Sequence, residues 1–114
     1  MLQIIAFSAG VVVAYPIAMF WQRLGGQVRL LALDGWGMPL IGNLEIYRMS
    51  HDLWTHRTTY LPAPTESNGF FYATPTVEHL SLWQSPHATI GMGAINGSEQ
   101  AMTALDFITA VLNS

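Results

Sequence analysis

The sequence predicts an α+β chain: one N-terminal transmembrane helix over residues 1–22, then a small extramembrane part over residues 23–114 with short antiparallel strands and a C-terminal amphipathic helix. Three observations carry this expectation. Residues 1–22, MLQIIAFSAGVVVAYPIAMFWQ, contain no Asp, Glu, Lys, Arg or His. The middle of the chain holds short runs rich in aromatic and β-branched residues, and the C-terminal segment keeps apolar side chains at helical spacing.

Composition narrows the classes of function before any element is placed. Of the 114 residues 51% are hydrophobic and 10% charged, where a globular domain averages about a quarter charged, so disorder does not describe the chain as a whole. Four Arg, no Lys and seven acidic residues leave a formal charge of −3, the wrong sign for a nucleic-acid-binding surface. The absence of Cys excludes a disulfide framework, a thiolate metal site and a Cys nucleophile.

The first element rests on length. A helix of about 20 apolar residues crosses a hydrocarbon core of ~30 Å, and Trp21 followed by Arg23 places a ring and then a charge at an interface, before Gly25 and Gly26 end the helix. Ala6, Gly10, Ala14 and Ala18 recur every four residues and define a helix-packing face of small side chains. A cleaved signal peptide competes with this reading, but no Lys or Arg precedes the apolar run and no cleavage site follows it. A buried helix of a globular domain is the other competitor. Arg23 and Arg29 flank one side of the span, and the positive-inside rule then puts the C-terminal side in the cytoplasm.

Beyond the span, Val28–Leu33 and residues 43–49 read as two strands, with Asp34 and Gly35 as the turn of a hairpin. Trp36, Met38, Pro39, Leu40 and Ile41 form an apolar loop between them. Residues 50–60 open a short helix capped by Ser50, and Pro62 and Pro64 end it in a loop. Residues 69–74 and 77–83 read as strands joined by a turn at Pro75, and residues 88–95 as a third, in which Gly91 and Gly93 mark a bulge or a close backbone contact. Residues 98–112 read as one helix, with Ser98 as its cap and Ala101, Leu105, Ile108 and Leu112 on its apolar face, widened by Met102 and Val111.

The chemistry-bearing residues give little by spacing. His51, Asp52 and His56 are the closest metal-ligand set, but i and i+5 do not share a helical face, and His79 and His87 join them only through the fold. A pigment or haem ligand is disfavoured because no His lies in the predicted span. IGMGAIN lacks the third Gly and the downstream acidic residue of a dinucleotide fingerprint. No G-x-S-x-G elbow is present, and the carboxylates are scattered. The sequence therefore leads to a non-catalytic structural or accessory subunit of a larger membrane assembly, without cofactor, partnered by other membrane protein subunits and the lipid bilayer and not by nucleic acid. Trp36, Trp54, Tyr60, Phe70, Phe71 and Trp83 are its expected interface anchors. The alternative is a soluble small α+β binding or enzymatic domain with residues 1–22 buried in its core.

Overall fold

Residues 1–22 do not form one helix. In the computed structural model, which describes residues 1–34, 44–58, 69–95 and 98–113, Leu2–Phe7 is a strand, β1, and Gly10–Arg23 is a helix, α1, separated by a sharp turn at Ser8 and Ala9. The break has a partner-driven cause: LQIIAF pairs in parallel with Val28–Leu33, strand β2, from Leu2 opposite Val28 to Phe7 opposite Leu33. The fourteen residues of α1 span only about 21 Å. Among the described residues no helix is long and apolar enough to cross a membrane. The expected transmembrane helix is thus overturned, and the single-pass membrane localisation with a cytoplasmic C-terminal side loses its basis. Hydropathy summed over a window registers the missing charges but not the turn at Ser8, where φ is +55°.

The strands build one mixed sheet rather than a small antiparallel one. After β2 come β3 (Glu45–Ser50), β4 (Gly69–Ala73), β5 (Ile90–Ile95) and β6 (Ser98–Thr103), and the sheet order follows the chain order. β1 through β4 are mutually parallel, whereas β5 runs antiparallel to β4 and β6 to β5. The hairpin expected at Asp34 is therefore absent: β3 runs in the same direction as β2, and a parallel neighbour requires a crossover, not a two-residue turn. The apolar loop around Trp36 and the segment around Tyr60 lie outside the described residues.

Burial explains why β2 reads as a continuous apolar run. Every one of its residues is buried, as expected of a central parallel strand covered on both faces. One face meets α1, where Val11, Ala14 and Ala18 pack with Ala6, Leu30 and Ile46. The other carries Leu31, Leu33, Met49 and Phe71 against Leu82 of a short helix, α3 (Ser81–Gln84), and against Phe107 and Val111 of the last helix, α4 (Ala104–Leu112). A further short helix, α2 (Leu53–Thr58), starts where the Asp52 carboxylate accepts the Thr55 N–H at 2.6 Å; Ser50 belongs to β3 instead of capping it. Arg29 of β2 ties the C-terminal end of α4 to the sheet, its Nη1 donating to the Val111 carbonyl at 2.6 Å and its Nε to Glu45 at 2.9 Å.

Two further elements differ from expectation. Residues 77–83 form no strand but a turn leading into α3, because the chain leaves the sheet at Thr74 and the cis Pro75. Residues 98–112 are split: Ser98–Thr103 pairs with β5, and α4 begins only after Thr103, whose hydroxyl accepts the Asp106 N–H at 3.0 Å while Asp106 accepts the Thr103 N–H at 3.2 Å. The buried stripe is accordingly Ala104, Phe107 and Val111; only Val111 belongs to the face read from sequence, Ala104 and Phe107 lie one step from Leu105 and Ile108, and Leu105 is exposed.

Candidate functional site

The parallel half of the sheet brings Ser8, Asp34 and His51 to the carboxyl ends of its strands. In a parallel sheet the loops at the carboxyl ends of the strands open onto a common edge, where open α/β sheets bind their ligands. Here Ser8 follows β1, Asp34 follows β2 and His51 follows β3, while His79 reaches the same edge from the segment after β4. That segment is fastened there by the Val77 N–H donating to the His51 carbonyl at 3.1 Å.

Asp34 is the hub. Its backbone has φ +51°, a conformation Asp tolerates better than most residues, and its N–H donates to the Met49 carbonyl at 2.7 Å, which carries it across to the end of β3. The side chain is buried. Its Oδ1 accepts the His51 N–H at 2.8 Å; its Oδ2 lies 2.7 Å from His79 Nδ1 and 3.1 Å from His51 Nδ1. A carboxylate only accepts, so the His79 Nδ1 that faces it is the donor, and in the neutral ring Nε2 is then the basic nitrogen. The Nε2 of His51 is itself 3.4 Å from the Asp52 carboxylate, whereas His79 is half exposed at the edge.

Ser8 lies at the end of the neighbouring strand, β1. Its N–H donates to the carbonyl of Leu33, the residue before Asp34, at 2.7 Å. The preceding ring, Phe7, lies 4.7 Å from the His79 ring and 5.8 Å from the stacked Trp83 ring. At φ +55° Ser8 holds a conformation that costs a non-glycine residue energy and that clusters at functional sites. It is followed by Ala9, the N-cap of α1, whose N–H belongs to the group of helix N-terminal donors that lack intrahelical partners.

Asp34, His51 and His79 also offer one ligand atom each, all within 4.8 Å, as a cation site would. The separations favour hydrogen bonding: two ligands on a tetrahedral zinc at ~2.1 Å stand about 3.4 Å apart, and the Oδ2 to Nδ1 distance for His79 is 2.7 Å.

The residues singled out from sequence lie mostly elsewhere. Ala14 and Ala18 are buried against the sheet, Gly10 is exposed at the start of α1, and Ala6 sits on β1, so the four do not share one helix face. Phe71 is fully buried in the core, Trp54 is exposed, and Trp83 is half exposed on Phe7. Phe70 stacks with His56 at 4.6 Å, and Trp36 and Tyr60 fall outside the described residues. His51 and His79 do come together, but with Asp34 and not with Asp52 and His56 as a metal set. Ser8 was missed outright. The signal was present: A-F-S-A-G over residues 6–10 departs from G-x-S-x-G only at Ala6, which is buried opposite Ala32 where a small residue is needed.

No family model, curated protein or solved structure matches the chain.

Proposed function

We propose that the chain is a serine-nucleophile acyl-transfer enzyme, acting as a hydrolase on esters or thioesters with an apolar acyl group. The observation that carries the reading is the 2.7 Å contact of buried Asp34 with His79 at the same sheet edge where the adjacent strand β1 ends in a serine at φ +55° on a strand-to-helix turn. This is the logic of the nucleophile elbow of α/β-hydrolases, in which the partners follow in the chain order Ser, Asp, His, as Ser8, Asp34 and His79 do. The rival reading as an accessory membrane subunit stood on a transmembrane span. A small α+β enzymatic domain with part of residues 1–22 in its core agrees better with the buried Ala6, Val11, Ala14 and Ala18.

In this mechanism His79 Nε2 takes the Ser8 hydroxyl proton as Oγ attacks the carbonyl carbon, and Asp34 holds the imidazole tautomer and stabilises its cation. The oxyanion is met by the Ala9 N–H and the positive end of α1. Collapse expels the alcohol or thiol, which leaves with the proton from His79, and water then attacks the acyl-serine by the same route. Phe7 and Trp83 line the approach to His79 and favour an apolar acyl chain.

A fluorophosphonate probe followed by intact-mass and peptide analysis tests the proposal. One adduct on Ser8, lost in Ser8→Ala together with hydrolysis of p-nitrophenyl butyrate, is expected. Labelling of another residue, or ester hydrolysis undiminished in Ser8→Ala, overturns it.

A further inference from the structure

We infer that this chain forms a two-fold dimer by pairing β1 with β1 of a second copy, antiparallel, into one continuous sheet. The inference is independent of the chemistry at Ser8. It starts from the direction of the hydrogen bonds. The Leu2 N–H donates to Gln27 and the Ser8 N–H to Leu33, so the even-numbered residues of β1 bond inward to β2. By the strand period of two, Gln3, Ile5 and Phe7 present their N–H and C=O groups along the open edge.

That edge has none of the devices that keep edges apart. LQIIAF carries no charge and no Pro, whereas the other edge of the sheet, β6, shows Ser98, Glu99 and Gln100 to solvent. An apolar groove of about 470 Å³ runs between β1 and α1, lined by residues that include Ile5, Val13 and Ile17. Along α1 the exposed Val13, Ile17 and Phe20 and the C-cap Leu24 form an apolar stripe at helical spacing, while Ile5, on the face of β1 opposite Ile4 and Ala6, adds a fifth apolar side chain along the edge; the five are 41% to 67% exposed. Half-exposed residues of this size offer on the order of 100 Å² each, and with the strand edge and half-buried Leu2 and Ile4 the patch approaches the ~800 Å² per partner of a stable interface.

A second copy fits because the surface is self-complementary. Across a two-fold axis normal to the sheet, residues facing outward must meet residues facing outward, and the register that engages all three of them within Leu2–Phe7 is centred on Ile5, with Ile5 opposite Ile5 and Gln3 opposite Phe7, each pair exchanging two hydrogen bonds. The same axis keeps both α1 helices on one face, so Val13 and Ile17 of the two copies meet over the joined strands. The first basic residue of α1, Arg23, lies at its far end, so no like charges face each other at the axis.

Sedimentation equilibrium of the full chain tests this, with 12.6 kDa expected for a monomer and twice that for the dimer. The dimer is expected in the micromolar range. Ile5→Pro removes an N–H that points away from β2, and Val13→Glu puts a charge on the exposed stripe; each is expected to weaken association at least tenfold, with the circular dichroism of either folded variant confirming that the fold persists. The chain contains no cysteine, so Ile5→Cys supplies a single thiol that a short bismaleimide joins between copies, while Ser98→Cys on β6 stays unlinked. A wild-type monomer throughout the range, as a strand donated by a different polypeptide would require, overturns the inference. So does a dimer that cross-links through Ser98→Cys but not Ile5→Cys.

Discussion

The two halves of the sheet divide the labour of the molecule. In the parallel half, β1 to β3 end in Ser8, Asp34 and His51, two of them at positive φ, so the carboxyl ends of the strands hold conformations that stability alone does not favour. In the antiparallel half, β4 to β6 and α4 enclose Phe71 and Phe107 and contribute to the proposed site only through the segment that carries His79. Gly91 of β5 belongs to this packing logic: a Cβ there would collide with the Tyr72 carbonyl oxygen and the Phe71 ring. The difference teaches that, among the described residues, non-glycine positive φ is confined to the strand ends where chemistry is proposed, while the apolar core runs under both halves.

This contrast can be broken first at Asp34. Asp34→Asn keeps the shape but not the tautomer control, so kcat/KM for ester hydrolysis should fall by about 10⁴-fold while the melting temperature changes little. The mirror experiment is Phe107→Ala, which should cost about 3–5 kcal/mol in urea unfolding yet leave Ser8 open to the fluorophosphonate while the chain is folded. If the two variants exchanged these effects, the division between the halves would be wrong. A smaller change sharpens the antiparallel side: Thr103→Ala removes the reciprocal cap of α4 and should cost about 1 kcal/mol without touching turnover.

The smallest effect is set by pH. His56 lies between the halves, stacked on Phe70 and Tyr72 at 4.6 and 5.1 Å, and burial holds its pKa below 6.5, opposed by Glu99 and reinforced by Arg48 and Arg57. The folded state disfavours the imidazolium, so stability is fully present above 6.5 and declines as pH falls from there through the lower folded pKa. Melting temperatures between pH 7.5 and 5 should show this decline, and His56→Phe, which keeps the stack, should flatten its share. Asp52 adds to the decline only at more acid pH. Burial pushes its carboxyl up, but the Thr55 hydroxyl and N–H and nearby His51 more than offset this and hold it below 3.8, so its contribution is lost as pH falls through that lower value.

Much of the strand content was legible. VRLLAL announces β2 as an apolar run and GFFYA announces β4 by its aromatic content, and the close backbone contact read at Gly91 is met by β4. The site was not legible in this way, because Asp34 and His51 come from the ends of two strands and His79 from the turn before α3, so the three meet only through the fold and share no local spacing. Ser8 had a local signal, but the buried Ala6 in place of the usual Gly concealed it.

By itself the sequence determined composition, the apolar runs and the helical stripe at the C-terminus, all of which follow from side-chain chemistry and local period. Only the tertiary structure decided that residues 1–22 divide into β1 and α1, that β3 lies parallel to β2, and that residues 98–103 join the sheet instead of α4. The physical reason is common to all three. A backbone hydrogen bond to a distant strand competes with one made locally, and an uncharged segment satisfies either until its partner is in place.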